Sequence, residues 1–482
     1  MKNILSTVPT ELYIDGGWQK AGDGAEFPVY DPATEEVLTH VSSATPEDCL
    51  RAVDAAHEAG KNWAKTSPRE RAEILRKAFE LMVERKDYFA RLISLEEGKT
   101  YAEGLGEVAY ASEFFRWYAE EAPRSLGQFS RSPAGNNNIL VSHKPVGVCV
   151  LVTPWNFPAA MATRKIGPAL AAGCTTILKP ASETPLTALA LASLLEEAGV
   201  PAGVVNVVPS RQSGKVVSAM LADDRVRKIS FTGSTEVGRI LLAQAANKVI
   251  NCSMELGGNA PLIVLDDADI DQAVEGAMVA KMRNAGESCI GANRIYVHSS
   301  LHDTFCAKFS ARMAELKVGP GLEEGVDVGP LVNADTRDKV IELVDEAIAA
   351  GAQVLTGGKA PQRPGFFYEP TVLVNVKPDS KILHEEIFGP VAPIVTFEND
   401  EDVIRMANDT EFGLAAYVFG SNVGRAIGVA QQIEAGVMGV NRGFISDPAA
   451  PFGGVKQSGI GREGAHEGLL EFLESQYIAV EW

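Results

Sequence analysis

The chain has 482 residues, 46% of them hydrophobic and 22% charged, with a formal net charge of −19. That length exceeds what one core usually supports, so two or three domains are expected, and the composition argues against disorder. The acidic surplus argues against a polyanion partner such as nucleic acid, since no basic excess exists to neutralise phosphates; an anionic small substrate held by a buried arginine is still compatible with it.

The first sixteen residues have no long apolar run and meet an acid at Glu11. They lack both a signal-peptide core and an Arg-rich transit pattern. Apolar runs such as residues 146–152 are too short to span a bilayer. A cytoplasmic protein without membrane partners is expected.

Residues 46–58, 68–86 and 88–97 carry apolar side chains at helical spacing, and Thr45 and Ser67 suit N-caps. Residues 104–118 continue the pattern with an aromatic face. Residues 130–138 are a polar turn cluster followed by a strand over 139–142, which predicts a hairpin reaching out from the body. From 146 the texture changes. Strands over 146–152, 175–178, 204–208 and 228–231 alternate with helices over 159–172, 184–198, 213–221 and 235–246. This alternation predicts a doubly wound parallel sheet. A second such run starts at 260–264 and reaches about residue 440, with strands at 295–297, 353–356, 371–374, 392–396 and 415–419. Residues 476–480 form a last strand.

The six cysteines, at 49, 149, 174, 252, 289 and 306, show no CxxC spacing. Buried thiols are expected, with neither disulfides nor a metal site. Cys289 differs from the rest. It lies in RNAGESCIGANR among Gly286, Ser288, Gly291 and Ala292, where a substrate carbon has room. A nucleophilic role calls for a depressed thiol pKa. Glu255 opens ELGG, whose glycines permit close backbone approach, and burial could tune it as a base. Asn156, in TPWNFP at the end of the first strand of the doubly wound region, can offer an N–H to a developing oxyanion. In FTGSTEVG, Gly233 and Ser234 would present backbone N–H groups to a phosphate at a helix N-terminus. KPAS places Lys179 and Ser182 after a strand. Each piece alone reads more readily as a structural turn or a packed thiol.

In order and spacing, TPWNFP, KPAS, FTGSTEVG, ELGGNAP, the loop 286–289, EEIFGP at 385–390 and PFGGVKQSGIGRE at 451–463 resemble the aldehyde dehydrogenase superfamily over essentially the whole chain. The resemblance implies an α/β fold of two doubly wound parallel-sheet domains plus a small β extension for oligomerisation. It implies a cofactor-binding domain of residues 1–122 and 142–254 and a catalytic domain of 255–446, with 447–465 returning to the interface. Residues 123–141 and 466–482 would form the extension and build a homodimer or homotetramer. It makes Cys289 the nucleophile, Glu255 the base and Asn156 the oxyanion donor. Trp155, Asn156, Lys179, Ser182, Gly233, Ser234, Leu256, Glu386 and Phe388 would hold NADP or NAD, and Lys165 and Glu463 would form a proton relay. Ser182 stands where NAD-preferring relatives often carry a glutamate, which favours NADP.

Two departures refine the reading. Arg164 occupies a place where members acting on neutral aldehydes often carry an aromatic, and Arg283 adds a second cation. With Ser446 they form a set for a substrate carboxylate and resemble the succinate-semialdehyde dehydrogenase subgroup. Oxidation of succinic semialdehyde to succinate is the implied reaction. Glutarate or 2-oxoglutarate semialdehyde is the alternative within the family. Gly291 replaces a second cysteine found in some relatives, so a disulfide switch is not expected there. A CoA-acylating enzyme is disfavoured by Glu255, a structural protein by the intact Asn156, Glu255 and Cys289 set, and a cysteine hydrolase by the lack of a histidine motif.

Overall fold

A computed structural model describes residues 2–481; Met1 and Trp482, the ends of the expected cofactor domain and extension, lie outside the described residues. Two large sheets dominate. In the first, Val148–Val152 is central and pairs in parallel with Thr175–Lys179 on one side and Val226–Thr232 on the other. All five of its residues are buried, as expected of a strand covered on both faces. Chain order reverses direction across Val148–Val152, so a crevice opens at the carboxyl ends of this strand and Val226–Thr232. Asn251–Glu255 extends the sheet beside Val226–Thr232 and delivers Glu255 to that same edge.

The second sheet has seven strands and runs from Gln353–Thr356 through Ala292–His298 and Ala260–Val264 to Val437–Val440. The two sheets are interleaved. Gly459–Ile460 returns from the second to pair antiparallel with Asn251–Glu255, putting Gly459 in register with Glu255. A third, antiparallel sheet joins Leu473–Val480, Asn138–Pro145 and Gln128–Arg131. It carries the expected hairpin strand on to Pro145, because Leu473 pairs there.

The expected helices form close to their predicted bounds. Thr45 and Ser67 cap Pro46–Trp63 and Pro68–Glu84 through complete capping boxes with Asp48 and Glu70. Pro158–Ala172 is buried along its whole length, Arg164 and Lys165 included. Two buried cations in such a helix require partners, and these define the site below. Among the described residues no helix is long and apolar enough to cross a membrane.

Candidate active site

The nucleophile loop begins where the helix Ile270–Met282 ends. Asn284, Ala285 and Gly286 follow with φ of 55°, 51° and 80°. Three successive left-handed residues turn the chain sharply and bring Cys289 back before the strand Ala292–His298. Glycine lets this loop dock. A Cβ on Gly258 would lie 2.2 Å from the Cys289 carbonyl oxygen, and one on Gly286 2.2 Å from that of Gly389.

Cys289 Sγ sits 3.7 Å from Glu255 Oε1, in donor geometry. Burial, then the facing Glu255 carboxylate, pushes the thiol well above its ordinary value. The sequence called for a depressed thiol; the structure holds a protonated one beside a base. Burial raises Glu255 to about 7, opposed by Arg164 and reinforced by Glu463. Burial alone would also raise Glu463, but Lys165 and Arg164 outweigh it and keep that carboxylate ionised. Of the two hydrogen-bonded carboxyls, Glu255 therefore holds the proton near neutrality. Lys165 Nζ pairs with Glu463 Oε1 and donates to Ser230 Oγ at 2.9 Å. The Lys165–Glu463–Glu255 chain is thus contiguous.

Arg164 is placed differently from a free substrate cation. Its Nε lies 2.6 Å from Glu463 Oε2 and its Nη2 3.4 Å from Glu255 Oε2, charge contacts that lack hydrogen-bond alignment. Its Nη1 approaches Met161 Sδ at 3.8 Å, and Met161 lines the cavity. Arg283 donates from Nη1 to Ser446 Oγ at 2.8 Å and lies over the rings of Phe157, Phe444 and Tyr110. The sequence-predicted pair of Arg283 and Ser446, 163 positions apart, is assembled.

Asn156 is buried, and its amide nitrogen donates one bond to the Glu287 carbonyl at 3.0 Å. An amide nitrogen has a second N–H to give. Trp155, Asn156, Gly233, Ser234, Leu256, Glu386 and Phe388 share with Cys289 one cavity of about 370 Å³. Trp155 and Phe388 meet edge to face at 5.4 Å. Glu386 accepts the Gly258 N–H at 3.1 Å, and burial raises its carboxyl to about 7. Ser234 caps the helix Thr235–Ala246, whose N-terminus faces the groove. Gly233 departs from expectation: its N–H is taken by the Glu255 carbonyl, so it has no backbone donor to give a phosphate. Ser182 lines a second cavity that shares Asn333 and Asp335 with the first, which extends the groove. Its hydroxyl donates to Glu183 at 3.2 Å. Lys179 is buried at the end of its strand, where burial lowers it to about 8.

Sequence reasoning missed Lys99, Glu107 and Asn284, which lie buried against the Asn156 backbone. Lys99 and Glu107 fall in a stretch that also carries Glu96, Glu97 and Glu103, and Asn284 in the polar nucleophile loop, so nothing local marks them as buried. Among the described residues no cluster of His, Cys, Asp and Glu is arranged to hold a metal.

A thiol, a carboxyl poised near neutrality and a free amide donor meet at one end of a groove whose other end is shaped by aromatic rings and a helix N-terminus. These are the parts of a thiol-dependent oxidoreductase that passes an acyl group through cysteine beside a dinucleotide. The family model described as "Aldehyde dehydrogenase family" matches residues 18–478, and the chain belongs to that family. It is an enzyme of NAD(P)-dependent aldehyde oxidation. The chain is 53% identical over 444 residues to a succinate-semialdehyde dehydrogenase of Paenarthrobacter nicotinovorans, covering 92% of this chain and 99% of that protein. It is 47% identical over 470 residues to a glutarate-semialdehyde dehydrogenase of Pseudomonas aeruginosa, covering 98% and 97%. The crystal structure of an E. coli NADP-dependent enzyme superposes with a TM-score of 0.98 at 46% identity, covering 100% of this chain and 99% of that one.

Proposed function

We propose that the protein oxidises an aldehyde bearing a terminal carboxylate, succinic semialdehyde to succinate foremost, through a thioester on Cys289. The observation that carries the substrate is the Arg283–Ser446 pair, a cation and a hydroxyl over aromatic walls beside the nucleophile loop. Desolvating a carboxylate requires such partners. The relatives named for succinate and glutarate semialdehydes both suit this chemistry, and glutarate semialdehyde is the second reading.

Glu255 takes the Cys289 thiol proton, and the thiolate adds to the aldehyde carbon. The Asn156 amide and the Cys289 N–H hold the resulting oxyanion. A nicotinamide bound in the groove supplies a hydride acceptor. Trp155, Leu256 and Phe388 would wall its place, Glu386 would hold its ribose, and the helix N-terminus at Ser234 would favour its phosphates. Cys289 keeps the acyl group as a thioester. Glu255 passes the thiol proton on through Glu463 and Lys165 and is ionised again. It then takes a proton from water, whose oxygen attacks the thioester; the C–S bond breaks, the acid leaves, and the Cys289 thiolate takes that proton back from Glu255.

The preferred cofactor in this reading is NADP. Ser182 leaves no carboxylate at its own position, Lys179 is a nearby cation, and Arg211 lines the Ser182 cavity. The Ser182 hydroxyl must turn from Glu183 to meet a 2′-phosphate. The strands Leu473–Val480 and Gln128–Arg131 flank the small sheet and expose Tyr477 and Ile478. Such edges suit a homodimer or homotetramer, and a monomer by light scattering at micromolar concentration would refute that.

The functional test is a series of ω-carboxy aldehydes of increasing length, with NAD and NADP, followed by reduced-nicotinamide absorbance. Succinic semialdehyde should give the highest kcat/KM. A higher value for an uncharged aldehyde would refute the substrate reading.

A further inference from the structure

Three chain segments converge behind the oxyanion site: the turn Glu97–Lys99, the motif around Asn156, and the left-handed loop at Asn284. They meet at one atom, the backbone carbonyl oxygen of Asn156. Lys99 Nζ donates to it at 2.7 Å and Asn284 Nδ2 at 2.9 Å. Both donors are buried, and Lys99 side-chain exposure is 0%. A lysine ammonium that is fully desolvated needs a compelling set of partners. Glu107 supplies the charge, at 2.7 Å. The Phe157 ring lies 4.0 Å below the ammonium.

Each partner is tied to the site in its own right. Glu107 Oε1 accepts the N–H groups of Ala159 and Ala160 at 2.8 and 3.2 Å. It thereby satisfies the first turn of Pro158–Ala172, whose N-cap Phe157 makes no side-chain bond. Glu97 accepts from Asn284 Nδ2 at 2.7 Å and from the Lys99 N–H at 2.9 Å. Glu103 accepts the Asn284 N–H at 2.7 Å. These bonds fasten the start of the left-handed run that carries Cys289. Asn156 Nδ2 in turn bonds the Glu287 carbonyl of that same loop.

We propose that Lys99 is a positioning residue for this reaction: with Asn284 it clamps the Asn156 carbonyl and so fixes the Asn156 amide against the Cys289 loop. The clamp touches neither substrate nor cofactor. It matters because an oxyanion donor works only when held where the charge develops, and a displacement of about 1 Å can cost roughly 100-fold. The ammonium, unlike a neutral donor, also balances the buried Glu107 carboxylate, so one cation serves both the helix start and the clamp. The inference rests on the reading of Asn156 as the oxyanion donor.

The test is a double-mutant cycle. Lys99→Met combined with Glu107→Gln removes the ammonium and the carboxylate it pairs with most closely; Glu97, 3.9 Å from Lys99 Nζ, keeps the Asn284 amide and the residue-99 N–H as donors, and the glutamine oxygen still accepts from Ala159 and Ala160. Its melting temperature and its cofactor Kd by fluorescence should stay near wild type, and alkylation of Cys289 by iodoacetamide should change less than about twofold. Its kcat on succinic semialdehyde should fall roughly 30- to 100-fold with little change in KM. In an Asn156→Ala background the same pair should cost no more than about twofold, because the amide it positions is gone. Equal losses in both backgrounds, or an unchanged kcat in the folded variant, would overturn the positioning role. Full activity in Asn156→Ala alone would overturn the oxyanion reading itself, and the clamp with it. Asn284→Ala should show the same signature as the Lys99 variant, with a shared rather than additive loss.

Discussion

The two ends of the groove are made of different material. The cofactor end is walled by Trp155, Leu256 and Phe388 and by backbone at the start of Thr235–Ala246. The acyl end rests on a buried ionic chain, Glu255, Arg164, Glu463 and Lys165, with Cys289 above it. An apolar wall tolerates rearrangement at a cost set by packing, whereas a buried charge that loses its partner is strongly penalised. Substitutions at the acyl end should therefore cut chemistry steeply, and those at the cofactor end should shift affinity and preference.

The largest effect should come from Cys289→Ala. Loss of the nucleophile should lower turnover by about 10⁴-fold or more, while cofactor titration stays near wild type. If cofactor affinity fell in parallel, the separation between the two ends would be wrong.

Glu255→Gln comes next. With the Cys289 thiol raised and donating to Glu255, the proposed mechanism has this base serve both half-reactions. Steady-state turnover should fall roughly 10²- to 10⁴-fold, and the pre-steady-state burst of reduced cofactor should slow as well. A burst at the wild-type rate would confine Glu255 to deacylation. The wild-type kcat/KM should rise with pH through about 7, where Glu255 loses its proton, and that limb should disappear in Glu255→Gln.

At the cofactor end the expected change is smaller. Ser182→Glu would put a second carboxylate beside Glu183, facing the 2′-phosphate. It should move the NADP/NAD ratio of kcat/KM toward NAD by about tenfold, with kcat changed little. An unchanged ratio would remove Ser182 from cofactor choice.

The same contrast decides what could be read from the sequence. The cofactor end is local: strand, turn and helix N-terminus follow one another in FTGSTEVG and TPWNFP, and the strand and helix bounds came out within a few residues. The short N-terminal strands Leu12–Ile14 and Gly17–Gln19 carry no alternation, and exist because Tyr13 pairs with Val207. Asn251–Glu255 lacks β-branched residues altogether and is a strand by register with Val226–Thr232. Gly459–Ile460 is a strand only because Glu255 lies opposite. At the acyl end the partners are far apart in sequence. Lys165 and Glu463 are separated by 298 positions, and Asn284 and Asn156 by 128. No periodicity reports such pairs. The family resemblance pointed to Lys165 and Glu463, while Lys99, Glu107 and the raised thiol of Cys289 emerged only with the packing. The family resemblance, with its charge, marks Arg164 as a substrate cation; its commitment to Glu255 and Glu463 depends on which way a fully buried helix turns that side chain.

In the proposed function the acyl end reads a carboxylate while it handles the aldehyde. This is tested most directly by kcat/KM for Arg283→Ala on succinic semialdehyde and on butanal. Removing the guanidinium leaves a substrate carboxylate buried without its partner, so the loss on succinic semialdehyde should be about 2–4 kcal/mol in transition-state binding. Butanal, which has no carboxylate, should lose little or gain. Equal losses on both would show that Arg283 supports the Cys289 loop rather than the substrate, and would contradict the assignment of an ω-carboxy aldehyde.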